Sequence, residues 1–419
     1  MSVHTFDRAS LRDLRETVAR VVAATPVTDV HTHLYAPVFG DLLLWGIDEL
    51  LTYHYLAAEV LRATTISCRE YWTLSKKDQA DLVWKILFVA RSPVSEACRG
   101  VLTVLNKLGL DVASRSLDDH RVHFAKQQAG DYMDVVFHTA NIESVVMTND
   151  PFDNRERPVW ERGEAIDARF HAALRIDALL TNWEDASERL DGWGYRVYPV
   201  LGPDTFAEVR RFLSDWLKRT KALYMAASLP PSFRFPDDSP CSTLIEECVL
   251  PVARDHHVPF AMMIGVKRKV NPPLELAGDG VGVSDIGAVE ALCANYPENK
   301  FMVTMLSREN QHELCVAARK FRNLFLFGCW WFLNNPSLIE EMTRMRFELL
   351  GLSFLPQHSD ARVLDQLVYK WAHSRTIIAG VLADKYADLL AAGWTITEDE
   401  VRRDAARLLG GNFWEFLKA

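Results

Sequence analysis

The sequence predicts an α/β protein, a (β/α)8 TIM barrel with a helical insertion after strand 1. Short apolar segments rich in β-forming residues recur along the 419 residues, and helix-like segments follow most of them. Several of these segments are apolar at nearly every position, as expected for parallel strands that are covered on both faces. A repeated alternation of such strands with helices is typical of a closed parallel barrel.

The order of elements begins with a charged amphipathic helix over residues 1–26, which lacks the apolar core of a signal peptide. We expect the barrel to comprise residues 27–41 and 131–419. Residues 42–130 separate the first two strands, are too many for one crossover helix, and are predicted to form several helices. This insertion would pack over the mouth of the barrel.

Eight strands complete the predicted barrel. They are expected at residues 27–33, 143–148, 169–175, 222–228, 258–264, 300–305, 323–328 and 352–356. The first and eighth strands are neighbours when such a barrel closes, and active sites of this fold form where the strands end. Polar side chains that follow the strands are therefore the candidates for function.

Composition excludes several classes of protein. Hydrophobic residues make up 49% and charged residues 25% of the chain, as in globular proteins with a substantial core. The net charge of −9 argues against nucleic acid or an anionic membrane as a partner, and no apolar stretch reaches the length of about 18 residues that a membrane-spanning helix needs. The seven cysteines are scattered without a Cys-x-x-Cys motif, which indicates reduced thiols and a cytoplasmic protein.

The strongest candidate for chemistry is the pair His31 and His33, at the end of the first predicted strand. Residues two apart on a strand point the same way, so both imidazoles can reach one divalent metal ion. Asp360 follows the eighth strand and would reach the same ion where the barrel closes. Two imidazoles and one carboxylate leave a coordination position open, as in catalytic zinc sites. The alternative is that Asp360 only caps the helix that follows it.

Several longer motifs accompany this triad. They are HSDAR (358–362), FGCWWFLNNP (327–336), SRENQHEL (307–314), TNDPFD (148–153) and RID (175–177). Together with the His-x-His pair, they resemble the uronate isomerase family, also called glucuronate isomerase, of the amidohydrolase superfamily. The similarity runs from about residue 26 to the C-terminus and is greatest to a divergent, zinc-containing bacterial branch.

This resemblance implies roles for individual residues of the sequence. The metal ligands would be His31, His33 and Asp360, the active-site histidine and tyrosine His54 and Tyr55, and the active-site arginines Arg175 and Arg362. Asp360, Tyr55, His54 and Arg362 would be catalytic, and Arg175, Arg362, His54 and Tyr55 would bind the substrate. A guanidinium group binds a carboxylate through two hydrogen bonds, which suits an anionic uronate. His54 and Tyr55 lie in an apolar helical segment, and the alternative is that they are core residues without a role in the active site.

One departure from the family's pattern concerns the number of metal ions. Most uronate isomerases have a histidine after the fifth strand, where this chain has Met263. No lysine ends the fourth strand, so the bridge between two metal ions of many amidohydrolases has no support here. We therefore expect one divalent metal ion, with zinc favoured by the nitrogen ligands and by the family. Manganese and iron are the open alternatives.

The implied activity is the interconversion of D-glucuronate with D-fructuronate and of D-galacturonate with D-tagaturonate. A metal ion would stabilise the enediolate while a proton moves between C2 and C1. Asp360, or a hydroxide on the metal beside it, would take the proton, and transfer as a hydride stays open.

One alternative function is that of a mononuclear hydrolase of an amide, ester or lactone of a sugar acid. Another is a non-catalytic carbohydrate-binding or scaffold protein. A homo-oligomer is compatible with an exposed helical insertion.

Other polar residues near the strand ends have simpler interpretations. Arg175 and Asp177 can form a structural ion pair. Lys267 and Arg268 are expected to be a solvated loop pair rather than ligands. His358 is an alternative ligand or a residue that supports the metal site from behind.

Overall fold

The computed structural model describes residues 5–7 and 10–419, and the predicted barrel-like α/β fold is confirmed. The strands, in chain order, are β1 Thr5–Phe6, β2 Val27–Thr32, β3 Ile142–Asn149, β4 Phe170–Arg175, β5 Met225–Leu229, β6 Phe260–Ile264, β7 Val266–Lys267, β8 Gly280–Val281, β9 Phe301–Met305, β10 Leu324–Leu326 and β11 Ile396–Thr397. The curled central sheet is parallel, with the order β2-β3-β4-β5-β6-β9-β10. β1 pairs with β11, and β7 pairs with β8, in two antiparallel ribbons.

Helices cover the outer face of the sheet and fill the long connection between β2 and β3. They are α1 Leu11–Ala24, α2 Ile47–Leu51, α3 His54–Ala63, α4 Cys68–Thr73, α5 Lys76–Val83, α6 Glu96–Lys107, α7 Leu117–Phe124, α8 Ala129–Ala140, α9 Arg157–Arg162, α10 Asp177–Thr181, α11 Trp183–Gly192, α12 Pro203–Thr220, α13 Pro240–Leu244, α14 Leu250–Asp255, α15 Gly287–Asn295, α16 Gln311–Ala318, α17 Pro336–Leu350, α18 Gln366–Ala391, α19 Glu398–Ala406 and α20 Asn412–Lys418. No helix in the described part of the chain combines the length and the apolar character needed to cross a lipid bilayer.

Alternate residues of the barrel strands divide between two apolar clusters. Met225 and Ala227 of β5 belong to the large cluster shared with the outer helices. Ala226 of β5 and Ala261 of β6 belong to a smaller cluster on the other face of the sheet, inside the barrel. Because both faces are covered, these strands are apolar at nearly every position, which is the pattern that made them predictable.

The structure differs from the prediction at the eighth strand, expected at 352–356. Leu355 makes an isolated parallel bridge to Phe327, and a longer ladder is absent from the described residues. Leu355 N donates to Leu326 O at 3.0 Å, and the next residue, Pro356, has no N–H for a ladder on the opposite side of the segment, toward β2. An irregular segment thus occupies the eighth position of the barrel and runs on to the β2 edge.

The N-terminal segment also differs from the helix expected over residues 1–26. α1 begins at Leu11, and Thr5–Phe6 forms a strand against Ile396–Thr397. Asp7 N donates to Ser10 Oγ at 2.8 Å, directly before the start of the helix. Residues 1–4 and 8–9 of the predicted helix lie outside the described residues.

Two connecting segments extend from the barrel and contact each other at its mouth. The connection between β2 and β3 contributes α3 and α4, and the β7–β8 hairpin contributes the 3₁₀ segment Pro272–Gly278. The two connecting segments pack against each other, and Trp72 Nε1 of α4 donates to Pro273 O at 3.0 Å. Tyr53 from the first and Leu276 from the second line the same cavity as residues at the strand ends. The domain boundaries at residues 41–42 and 130–131 stay a prediction.

Candidate active site

Three residues that the sequence predicts as metal ligands come together where the barrel strands end. His31 lies near the end of β2, His33 follows β2, and Asp360 follows the irregular eighth segment. Asp360 Oδ1 is 3.6 Å from His31 Nε2 and 3.3 Å from His33 Nε2. One potential ligand atom from each residue lies within 4.8 Å of the others, a spacing that one metal ion can bridge. The three side chains form one candidate metal centre.

The backbone brings Asp360 to β2 through two hydrogen bonds. Asp360 N donates to His31 O at 3.1 Å, and His33 N donates to Ala361 O at 2.7 Å. Asp360 has a φ of 52°, in the left-handed region that non-glycine residues rarely adopt. β2 has a register shift against β3 near its C-terminal end, and such bulges change the direction of side chains. Irregular backbone on both segments therefore directs the three side chains to one point.

The donor atoms of this centre fit a divalent cation. His31 Nε2 is buried and has no hydrogen-bond partner among the residues described, and a bound cation would supply that partner. Burial lowers the pKa of His31 well below its usual value, and neighbouring His358 lowers it further, so the ring is neutral as a metal ligand must be. Burial raises the pKa of Asp360, but His33 and His31 outweigh burial and hold this pKa below its usual value. Two neutral imidazoles and one ionised carboxylate result.

The predicted histidine and tyrosine lie at the N-terminus of α3; Tyr53 and His54 line the cavity with the three candidate ligands, and the hydroxyl of Tyr55 is buried behind them. His54 lines the cavity, and burial lowers its pKa to about 3, so its ring is neutral. The ring centre of Tyr55 is 4.5 Å from that of His54 and 4.9 Å from that of Tyr53. Burial, followed by the charge of Tyr53, raises the pKa of Tyr55 well above its usual value, and the Asp360 carboxylate raises it further. The Tyr55 phenol therefore keeps its proton beside an ionised carboxylate.

Both predicted arginines line the same cavity. Arg175 ends β4 and binds Asp177 through two hydrogen bonds, Nε to Oδ2 at 2.9 Å and Nη2 to Oδ1 at 3.0 Å. The ion pair expected as a simpler interpretation is therefore present, and it leaves Nη1 of the guanidinium for other partners. Arg362 lies two residues after Asp360, and its backbone N donates to Gln366 Oε1 at 2.8 Å. Two guanidinium groups thus line the cavity that contains the candidate metal centre.

The β7–β8 hairpin and the insertion place further residues in the cavity that the sequence did not predict there. Arg268 is exposed together with Lys267, as expected, but it also lines the cavity and donates from Nη1 to Asp279 Oδ2 at 2.6 Å. Asp279 and Tyr53 also line the cavity and were not predicted. The reason is that the β7–β8 hairpin folds back over the strand ends, which a strand-by-strand reading cannot show. Paired prolines before Leu274 and closely spaced glycines after it were the available signal for that turn.

Three other residues define the base and walls of the site. His358 is fully buried, its ring centre is 5.1 Å from that of His31, and it is not part of the three-residue cluster of potential ligand atoms. Met263 is the penultimate residue of β6, is buried, and lines the cavity where the resemblance implies a histidine in relatives. Trp330 lines the cavity too and forms part of its wall.

Comparison with known proteins gives a consistent result. No protein-family model and no curated protein sequence matches the chain. A solved uronate isomerase from Bacillus halodurans is 58% identical, with a TM-score of 0.97, over 98% of this chain and 97% of that chain. A uronate isomerase from Thermotoga maritima is 16% identical, with a TM-score of 0.76, over 99% and 98% of the two chains. A glucuronate isomerase from Caulobacter crescentus is 15% identical, with a TM-score of 0.78, over 97% and 95%. The last two show likeness of fold.

Proposed function

Because this chain belongs to the uronate isomerase family, it is an aldose–ketose isomerase, and we propose that it acts on D-glucuronate and D-galacturonate in the cavity at the barrel mouth. The observation that carries this function is the 58% identity to a Bacillus halodurans uronate isomerase over nearly the full length of both chains. The cavity has a volume of 160 Å³. Pockets for drug-sized ligands span about 300–1,000 Å³, so this one suits a single sugar acid.

One divalent metal ion would be held by His31, His33 and Asp360. The mixed nitrogen and oxygen donor set favours zinc, and Met263 offers only a thioether where a fourth protein ligand would come from. When bound, such an ion acts as a Lewis acid that stabilises negative charge on the oxygens at C1 and C2. A single ion is therefore sufficient for the chemistry proposed.

The proton transfer is assigned to Asp360 and Tyr55. Asp360 is ionised and accepts the proton as the C2–H bond breaks, and the electron pair becomes the C1=C2 bond of the enediolate. Asp360 then returns the proton to C1 as the carbonyl forms at C2. As the C1=C2 bond forms, the electron pair of the C1 carbonyl moves onto the C1 oxygen, which takes the phenolic proton of Tyr55, and the C2 hydroxyl returns a proton to Tyr55 as the carbonyl forms at C2.

The remaining site residues bind and orient the substrate. The free Nη1 edge of Arg175 is suited to the uronate carboxylate, since guanidinium groups recognise carboxylates with directed hydrogen bonds. Arg362 stabilises negative charge next to Asp360. The neutral His54 hydrogen-bonds a sugar hydroxyl and assists ring opening. Hydrolysis of a sugar-acid amide, ester or lactone is not favoured, because the relative at 58% identity is an isomerase.

Incubation of metal-replete protein with each uronate, followed by ¹H NMR, tests this function. We expect the matching ketose to form, and deuterium at C1 of the product in D₂O would show that a proton is transferred. Asp360→Asn should lower kcat by about 10²–10⁴-fold. Asp388→Asn, at a carboxylate that is 69% exposed on α18, is the matched control and should keep kcat. Failure to convert either uronate would contradict the proposed substrates, and full activity of Asp360→Asn would remove Asp360 from the mechanism.

A further inference from the structure

We infer that Lys370 and Asp29 are positioning residues that hold the peptide groups of Ser359 and thereby set the left-handed backbone of Asp360, which presents its carboxylate to the two histidines. This inference rests on the proposed role of Asp360 as a metal ligand. Neither Lys370 nor Asp29 lines the cavity. Both act through the residue that precedes the ligand.

The two charged side chains bind opposite polar groups of one residue. Lys370 Nζ donates to Ser359 O at 2.5 Å. Asp29 Oδ1 accepts from Ser359 N at 3.0 Å, and Asp29 Oδ2 accepts from Trp371 Nε1 at 2.8 Å. Asp29 precedes His31 by two residues on β2, and Lys370 lies in the first turns of α18. The segment that carries Asp360 is therefore fixed between the first strand and the helix that follows it.

The burial of these two charged side chains indicates that they have a role other than packing. Asp29 is 0% exposed and Lys370 is 3% exposed. Buried charges are costly, and apolar side chains of similar size often pack with equal or better stability. The hydrogen bonds of Asp29 and Lys370 go to the Ser359 peptide groups, which apolar side chains could not orient. Their arrangement is therefore explained by orientation of the backbone better than by packing.

The backbone of Asp360 needs such support. A non-glycine residue at a φ of 52° persists only where its surroundings determine its conformation. Asn334 gives additional support, since its Nδ2 donates to Ser359 O at 3.1 Å. Residues behind metal ligands commonly tune affinity because they orient the ligand atoms. Loss of the Lys370 contact should therefore let the Asp360 carboxylate move away from His31 and His33.

Lys370 also connects the ligand segment to Tyr55. Lys370 Nζ lies 5.9 Å from the centre of the Tyr55 ring, at the outer limit of a cation–π contact. The ammonium group thus faces both residues to which the proton transfer is assigned. Loss of this group should lower kcat by a larger factor than it raises KM, because substrate binding depends on other side chains.

Cobalt(II) binding to the metal-free protein tests the inference without any assay of isomerisation. The variants are Lys370→Met, which keeps an unbranched side chain of similar length but removes the ammonium group, and Lys385→Met, the matched control farther along α18. We expect the dissociation constant for Co²⁺ to rise at least about tenfold in Lys370→Met, with altered visible bands of the bound ion, and to stay within twofold in Lys385→Met. Unchanged affinity and bands in folded Lys370→Met would overturn the inference. Absence of Co²⁺ binding in the wild-type protein would instead overturn the proposed metal centre.

Two further variants keep the test decisive. Asp29→Asn combined with Lys370→Met should weaken Co²⁺ binding by less than the product of the single effects, because both residues act on the same Ser359 peptide groups. Circular dichroism of each metal-free variant reports its folding. If Lys370→Met does not fold, Asn334→Ala removes a weaker contact to the same Ser359 oxygen. A folded Asn334→Ala with wild-type Co²⁺ affinity would then contradict the inference, and a several-fold loss would support it.

Discussion

Gly328 shows how tightly single residues are packed beneath the metal centre. Its φ is 66°, and a Cβ added there would lie 1.8 Å from Cδ2 of His358. The His358 ring packs in turn against His31, with ring centres 5.1 Å apart. A side chain at position 328 therefore displaces the ring that supports a proposed metal ligand.

We predict that Gly328→Ala destabilises the metal-free protein by more than Gly163→Ala does. Gly163 has a similar φ of 67°, but an added Cβ meets nothing within 4 Å, so it reports backbone strain alone. The difference between the two variants should be about 1–3 kcal/mol, the usual cost of overpacking. Urea unfolding of both variants measures this difference. Equal free energies of unfolding would show that His358 moves aside without cost.

Glu156 gives the protein a predictable dependence on pH. It is 2% exposed, and its pKa is raised to about 7 because burial outweighs the hydrogen bonds from Tyr35 and Asn149. An exposed glutamate has a pKa of about 4.3, so between these values the folded state holds a proton that the unfolded state has lost. The free energy of unfolding therefore falls as pH rises through this window and levels off above it, by at most about 4 kcal/mol from this group.

We predict that Glu156→Gln removes this pH dependence. Stability of the wild-type protein should decrease relative to Glu156→Gln between about pH 4 and about pH 7, as measured by urea unfolding. Glu348→Gln, at a side chain that is 54% exposed, is the control and should follow the wild-type protein. Parallel curves for the wild-type protein and Glu156→Gln would contradict the raised pKa.

At the scale of elements, the sequence predicted the regular barrel strands, but it did not predict the irregular eighth segment or the β7–β8 hairpin. β6 is apolar throughout and β9 is apolar except at Thr304, and both strands are fully buried, so their short apolar segments located them. The segment around Leu355 is also apolar, but Pro356 has no N–H for a ladder toward β2, and the prediction of a regular strand overlooked this residue. The β7–β8 hairpin was missed because its strands have two residues each, too short for any periodic pattern.

Arg375 connects three elements that the sequence presented as independent. From α18, its Nη1 donates to Val22 O and Thr25 O, both at 2.6 Å, at the end of α1. Its Nη2 donates to Ala140 O at 3.4 Å and to Asn141 O at 2.9 Å, at the end of α8. One buried guanidinium thus satisfies carbonyl groups at the C-termini of two helices, where a cation is also favoured by the helix dipole.

We predict that Arg375→Met destabilises the protein by about 3 kcal/mol or more, since several buried carbonyl groups lose a charged donor at once. Arg375→Lys should recover part of the loss, because it keeps the charge but not the forked donor. Chemical denaturation measures both, with the exposed Arg402→Met on α19 as control. A loss in Arg375→Met no larger than in the control would show that water replaces the guanidinium at both helix ends.

For the molecule as a whole, the site brings together residues that are distant in sequence. Some of their roles were predictable from the sequence, and others were not. The ligand types at His31, His33 and Asp360 were evident from the sequence, because barrel closure places the first and eighth positions side by side. The left-handed backbone of Asp360 and its support by Lys370 depend on tertiary contacts, which no local pattern encodes. The same holds for Arg268, which reaches the cavity only because the hairpin and the insertion meet above it.

Titration of the metal-free enzyme with Zn²⁺, with isomerisation of D-glucuronate followed at each addition, tests the central claim most directly. We predict that activity is absent without metal, rises linearly, and stops rising at one equivalent per chain, because a single centre is formed by His31, His33 and Asp360. Bound metal should also raise the thermal midpoint of unfolding over the same range, since the ion binds only the folded chain. A break at two equivalents, or activity that does not depend on metal, would contradict the account.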